Sequence, residues 1–193
     1  MNKVLSALFG CLIMSSFVYA DSNSVIQNIL SRKSVRQYSG QEVEKDKIDA
    51  IVRSGMAAPS AMNLQPWEIV VVTDKKLLNE IAKKHPYAAF TKNAAFAVVV
   101  CGDSKKSPDF WIQDCCAVSQ NVLLAAESLG LGAVWCAVYP DNERVLAVSK
   151  ILKLPDNVIP LNIIPVGYPK GENLPKQKYN PSKIHLNSWA LKK

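Results

Sequence analysis

Two long apolar runs constrain the fold of this 193-residue chain more than any other feature. Residues 68–73 read Glu-Ile-Val-Val-Val-Thr, and residues 94–101 read Ala-Ala-Phe-Ala-Val-Val-Val-Cys. Such β-branched runs predict strands, and the lack of polar alternation predicts that both strands are buried on both faces. A sheet of this kind needs a layer of helices on each side.

Helical periodicity predicts those layers. The predicted helices span residues 23–30, 46–56, 75–84 and 110–129, with a further helix capped by Asp141. A short strand over 133–138 and a last strand over 158–166 complete the sheet. Pro160 and Pro165 predict that the last strand is irregular or lies near an edge. The sequence therefore predicts an α+β fold with α/β-like alternation, in one domain over residues 21–193.

The first 20 residues are typical of a secretion signal. Lys3 supplies one positive charge, residues 4–18 are mostly apolar, and residues 18–20 end in a small-x-small pattern. The run is short for a membrane span, so we expect no stable span in the mature chain. The mature protein would be exported or periplasmic if the signal is cleaved. The alternative is an uncleaved N-terminal helix in a cytoplasmic protein.

The net charge of +7 raises the question of nucleic acid. The lysines are scattered along the chain rather than gathered in one run, and no nucleic-acid-binding motif accompanies them. We therefore predict no nucleic-acid partner.

The cysteines show no metal-ligand spacing, and the chain has only two histidines, so we predict no metal. Cys11 falls in the signal. For the remaining four, buried free thiols are favoured. A disulfide is the alternative for an exported protein. These four are Cys101, Cys115, Cys116 and Cys136.

A cationic segment follows the first predicted helix. Arg32, Lys33, Ser34 and Arg36 combine guanidinium, ammonium and hydroxyl donors, the groups that bind a phosphate monoester. Arg32, Ser34 and Arg36 alternate, so in extended backbone they project to one side. The alternative is a solvated basic patch.

A loop rich in turn-forming residues lies between residues 58 and 67. Its Pro, Ser and Asn residues favour turns that direct backbone and amide groups at a flat polar ring. The alternative is an ordinary helix–strand connection. Further on, Gly130 and Gly132 permit close backbone approach, and Lys176 and Lys178 could add cations to a phosphate site.

Hydrolase, zinc-protease and Walker motifs are absent from the sequence. A chain without an obvious acid/base set fits chemistry that a cofactor carries.

Read together, these segments resemble the nitroreductase family of FMN-dependent oxidoreductases. The matching segments are residues 32–38, 58–67, 120–121, 123–132, Trp135, 139–140, 154–155, 166–169 and 185–189. The resemblance implies a central mixed sheet flanked by helices, in an intertwined homodimer with FMN at the interface.

The resemblance also implies roles for individual residues. Arg32, Lys33, Ser34 and Arg36 would hold the phosphate and ribityl end of FMN, and Lys176 or Lys178 would complete the phosphate site. The Val134 and Trp135 backbone would lie near the ring. The other subunit would contribute loop residues: Pro59, Ser60, Ala61 and Asn63.

The implied activity is hydride transfer from NAD(P)H to flavin N5, followed by reduction of a nitroaromatic, quinone or similar small-molecule acceptor in a ping-pong mechanism. No side chain need act as an obligatory acid or base. The short segment around residues 103–109 implies an open site. Alternatives are a flavin-binding module without turnover, or a same-fold enzyme of dehalogenation or flavin fragmentation.

Overall fold

The computed structural model describes residues 24–189, and five α-helices and five strands lie in that range. The helices are α1 Ser24–Ser31, α2 Lys45–Met56, α3 Lys75–Lys84, α4 Trp111–Ser128 and α5 Asn142–Leu152. The strands are β1 Trp67–Val72, β2 Phe96–Asp103, β3 Gly132–Ala133, β4 Cys136–Ala137 and β5 Val158–Gly167. Three short 3₁₀ turns accompany them, at Ala61–Asn63, Ala89–Asn93 and Pro181–Lys183.

The five strands form one sheet in the order β1-β2-β5-β3, and β4 pairs with the same edge of β5 as β3 does. Every ladder between these strands is antiparallel. Parallel pairing enters through an isolated bridge between Ser34 and Ala133. The α+β class predicted from the sequence is confirmed, and this bridge brings the cationic segment to the sheet.

The two sides of β2 separate the core into two layers. Val98 and Val100 pack in the cluster that includes residues of α2 and α4. Val99 and Cys101 pack in the cluster that includes residues of α3 and α5. This alternation is the period-two geometry of a strand that is covered on both faces.

For β1 the prediction of burial on both faces is wrong. β1 pairs with β2 on one side and stands at the edge of the described sheet. Val71 is consequently 36% exposed, whereas β2 residues from Phe96 to Gly102 are buried. An apolar run specifies a strand, but its sequence alone does not tell how many neighbours cover it.

The last strand, β5, lies inside the sheet and not near an edge, although it is irregular as predicted. Pro160 stands opposite Cys101, where the register between β2 and β5 shifts. Pro165 lies opposite the interruption between β3 and β4. Each proline thus occupies a place where the ladder is already broken, so its missing N–H is tolerated.

The cysteines that the structure describes are free thiols. Cys101, Cys115 and Cys136 are buried, and Cys116 is half-buried. Burial raises the pKa of Cys101 and Cys115 to about 12 and that of Cys136 to about 11. These groups are therefore neutral core thiols at neutral pH.

Within residues 24–189 no helix has both the length and the apolar character needed to cross a membrane. The secretion signal predicted over residues 1–20 lies outside the described residues and stays a prediction, as does the location that depends on it.

Candidate cofactor site

Backbone pairing holds the cationic segment against the sheet. The Val35 amide donates to the Ala133 carbonyl oxygen at 3.0 Å. The buried Tyr38 hydroxyl lies 2.9 Å from the Val35 carbonyl oxygen and 3.0 Å from the Pro165 carbonyl oxygen, and its single proton is shared between these two acceptors. Burial raises the pKa of Tyr38 far above its usual range, which keeps the phenol protonated and able to donate. These contacts fix the segment against the sheet.

Gly132 permits this approach. A Cβ atom placed on Gly132 would lie 2.6 Å from Cβ of Val35, closer than two carbon atoms can come without a shift of the chain. Gly130, which ends the turn after α4, has φ of +73° in open space. The predicted role of the glycines in close backbone approach is confirmed at Gly132, and Gly130 serves the turn.

A pocket of about 140 Å³ gathers the predicted phosphate ligands. Its lining residues are Arg32, Lys33, Ser34, Arg36, Leu174, Lys176 and Lys178. The C-terminal lysines and the 32–36 segment are far apart in sequence, and the fold brings them to one place. The lining holds five cations and no carboxylate, so the pocket suits an anion with several acceptor oxygens.

Lys33 forms an ion pair with a residue outside the pocket lining. Its Nζ donates to Oε1 of Glu127 at 2.6 Å, and the Glu127 side chain is 11% exposed. The pair neutralises one cation of the pocket. Arg32, Arg36, Lys176 and Lys178 form no ion pair among residues 24–189.

A second pocket, of about 380 Å³, lies at the interruption between β3 and β4. Its lining residues are Arg36, His85, Tyr87, Phe90, Val134, Trp135, Cys136, Ala137 and Arg144. Val134 and Trp135 occupy the interruption itself and line this pocket together with Arg36. Because Arg36 lines both pockets, the cationic pocket and the aromatic one are adjacent.

Sequence reasoning missed His85, Tyr87 and Arg144 in this second pocket. The His85 Nδ1 atom accepts from the Tyr87 amide at 3.3 Å, and Nε2 lies 2.9 Å from the Ala137 carbonyl oxygen. In this network Nδ1 is placed to accept and Nε2 is placed to donate. The Arg144 guanidinium lies 5.1 Å from the Tyr87 ring centroid. No local motif marks these residues, since they meet through the packing of α3 and α5.

The loop at residues 59–65 has a strained backbone away from the two pockets. Met62, Asn63 and Gln65 have φ of 52°, 56° and 49°, a region that non-glycine residues rarely adopt. The Gln65 amide donates to Oγ of Ser60 at 3.0 Å, and the Ala61 amide donates to Oδ1 of Asp114 at 3.1 Å. Neither pocket is lined by Pro59, Ser60, Ala61 or Asn63. One subunit therefore does not bring the two predicted halves of the site together.

No group of metal-binding side chains occurs among residues 24–189. The fold and the two pockets define the class of protein: an α+β domain in which a cationic pocket adjoins an aromatic-lined one.

Comparisons with known proteins agree with this class. The model of the nitroreductase family matches residues 29–86 and 80–168. A Methanothermobacter thermautotrophicus protein, provisionally named NADH dehydrogenase/NAD(P)H nitroreductase, is 44% identical over 167 residues, which are 86% of this chain and 87% of the relative. The chain belongs to the nitroreductase family, and it is an oxidoreductase.

Solved structures give the same result. A Parabacteroides distasonis protein with the same provisional name is 54% identical, with a TM-score of 0.85, over 86% of this chain and 99% of that one. An FMN-dependent nitroreductase from Clostridium difficile is 32% identical, with a TM-score of 0.81, over 85% of this chain and 99% of that one.

Proposed function

We propose that this protein is an FMN-dependent oxidoreductase that takes hydride from NAD(P)H and reduces nitroaromatics, quinones or similar acceptors by a ping-pong mechanism. The names of its relatives support the nicotinamide donor and the flavin. The choice of acceptors and the ping-pong order of steps go beyond what those names say.

The observation that carries the proposal is the position of Arg36. Arg36 lines both the cationic pocket and the aromatic-lined pocket, so one ligand can place its phosphate in the first and its ring in the second. FMN has this form, and the residues present fit it. A phosphate ester with no flat ring system would leave the second pocket empty.

Each group of residues has a definable task. Arg32, Arg36 and Ser34 bind the phosphate through charge-assisted hydrogen bonds, and Lys176 and Lys178 add charge from the tail. The Val134–Trp135 backbone orients the ring. Bound FMN supplies the hydride-accepting chemistry at N5, and the protein orients and tunes it.

The linings of the two pockets contain no carboxylate. Protons that the acceptor requires therefore come from solvent at an open site. The connection from β2 to α4, residues 104–110, is short and adds no covering helix. Donor and acceptor can use the same open face in turn, as a ping-pong mechanism requires.

A homodimer completes the proposal. On α1, Ile26, Ile29 and Leu30 are about half-exposed or more, and in the tail the side chains of Leu186 and Trp189 are more than three-quarters exposed. Apolar exposure of this extent marks a surface that a partner covers. A second copy would also supply the 59–63 loop that one subunit keeps apart from its own pockets.

Anaerobic titration of the purified protein tests the proposal. We expect a flavin absorption band that NADH or NADPH bleaches and that a nitroaromatic or quinone restores. In steady-state kinetics we expect parallel lines in double-reciprocal plots. A colourless protein that FMN does not reconstitute would contradict the cofactor. A yellow protein that oxidises neither nicotinamide with any acceptor would instead be a binding module.

Export stays a separate proposal, which N-terminal sequencing of the native mature protein tests. A mature chain that begins at Asp21 would support it, and one that begins at Met1 would exclude cleavage.

A further inference from the structure

Asp114 is a buried carboxylate in the first turn of α4, with 6% of its surface exposed. A buried charge is costly unless cations or hydrogen-bond donors stabilise it. No ion pair reaches Asp114 from any of residues 24–189. An interaction other than an ion pair must therefore account for a carboxylate at this position in the core.

The partner of Asp114 is the strained loop. Oδ1 accepts from the Ala61 amide at 3.1 Å, across 53 positions of sequence. It is the only hydrogen bond found in the described chain that ties residues 59–63 to a distant element. The other bonds of these residues stay within the loop, between Ser60 and Gln65 for example.

The loop needs such an external tie. Met62, Asn63 and Gln65 have left-handed backbone without being glycine. Conformations of this kind persist only where the surroundings over-determine them, and they concentrate at functional sites. The Asp114 bond holds the start of this turn, and Lys106 Nζ holds its end by donating to the Gln65 carbonyl oxygen at 3.1 Å.

The second carboxylate oxygen shows that packing alone does not explain the residue. Oδ2 of Asp114 is buried and has no hydrogen-bond partner in the described chain. A carboxylate that served only to fill or brace the core would be expected to have both oxygens satisfied. A buried carboxylate with an unpartnered oxygen is costly, which points to a role for the loop that it holds.

We propose that Asp114 is a positioning residue for the flavin site: its Oδ1 fixes the Ala61 amide and so sets the geometry with which the 59–63 loop meets the flavin. This inference rests on the proposed function. Asp114 lies in neither pocket and need not touch the flavin.

The first test compares Asp114→Ala and Asp114→Asn in the full protein. Titration of free FMN with apoprotein, followed by flavin fluorescence, gives the dissociation constant. We expect Asp114→Ala to weaken FMN binding about tenfold, the order expected for a lost buried hydrogen bond to a charged group. Asp114→Asn keeps an acceptor oxygen and should stay within about threefold of the wild type. Asp109→Asn, an exposed carboxylate nearby, is the matched control.

A second variant removes the donor and leaves Asp114 in place. Ala61 is the first residue of its 3₁₀ turn, and Ser60 before it is extended with φ −140° and ψ 153°. A proline is tolerated at this position, and Ala61→Pro deletes the amide hydrogen. We expect Ala61→Pro to weaken FMN binding as Asp114→Ala does and to change the visible flavin spectrum in the same direction. This comparison stands even if Asp114→Ala does not fold.

Three results would overturn the inference. The first is unchanged FMN affinity and spectrum in both Asp114→Ala and Ala61→Pro. The second is weaker FMN binding that a lower melting temperature of the apoprotein explains in full, and that Asp114→Asn does not restore. The third is wild-type protein that binds no FMN, which would remove the proposed function as well. Tight FMN binding by the wild type with the first result would remove the Asp114 role alone.

Discussion

The Val35 amide donates a hydrogen bond to the Ala133 carbonyl oxygen across 3.0 Å, and this contact fixes the cationic segment beside the interrupted edge of the sheet. Arg36, one residue beyond Val35, can then line both the cationic pocket and the second pocket at Val134 and Trp135. The continuity of the site depends on this backbone contact.

Gly132→Ala tests the contact directly. The added Cβ would lie 2.6 Å from Cβ of Val35, so the segment must move away from β3. We expect the free energy of unfolding to fall by about 1–3 kcal/mol, the usual cost of overpacking. Urea denaturation measures this change. Gly130→Ala is the comparison: its Cβ meets open space and its cost of about 1 kcal/mol comes from positive φ alone. Equal losses in the two variants would mean that the approach of Val35 is not tight.

The arginines of the cationic segment should control cofactor affinity. Each of Arg32→Ala and Arg36→Ala removes a charge-assisted hydrogen-bond donor, so we expect the FMN dissociation constant to rise at least about tenfold for each. Arg53→Ala is the control, because Arg53 is an exposed arginine paired with Asp49 on α2. Circular dichroism should show an intact fold in all three variants. Arginine variants that bind FMN as Arg53→Ala does would refute the phosphate assignment.

Glu127→Gln should strengthen binding. The Glu127 carboxylate holds Lys33 at 2.6 Å, and its removal frees that cation toward the pocket. We expect FMN affinity to rise about fivefold, which corresponds to about 1 kcal/mol for a partly screened charge interaction.

Glu42→Gln makes the same change in net charge at an exposed position and serves as the control for Glu127→Gln. If Glu127→Gln binds FMN no better than Glu42→Gln, the ion pair does not oppose phosphate binding, and Lys33 has a structural role.

Alkaline conditions should destabilise the protein through its core thiols. Burial raises the pKa of Cys101 and Cys115 from 9.0 to about 12, so the unfolded chain loses these protons first as pH rises. The stabilising contribution is full below pH 9.0 and falls as pH rises toward 12, by at most about 1.4 kcal/mol per pH unit for each thiol. Melting temperatures between pH 8 and pH 11 measure it.

Cys101→Ala should flatten this pH dependence, whereas Cys116→Ala, at a half-buried thiol, should change it less. Identical slopes in the wild type and Cys101→Ala would show that another group governs alkaline unfolding.

Local patterns predicted the elements well where one segment decides its own structure. The predicted helix at residues 75–84 coincides with α3, and Asp141 caps α5 by accepting from the Arg144 amide at 3.0 Å. Helical periodicity and capping are local properties, so no distant residue was needed. Arg32 and Arg36 were singled out by residue type alone, and the fold places both in the cationic pocket. Their role as phosphate ligands stays a prediction.

The sequence by itself determined the α+β class, the cationic segment and, through the order of its motifs, the family. Only the tertiary structure decided that β1 is an edge strand, that β5 lies inside the sheet, and that Lys33 is neutralised by Glu127. It also brought His85 and Arg144 to the second pocket and joined Asp114 to Ala61. The physical reason is that strand neighbours, ion pairs and buried hydrogen bonds form between residues distant in sequence, where periodicity and composition carry no signal.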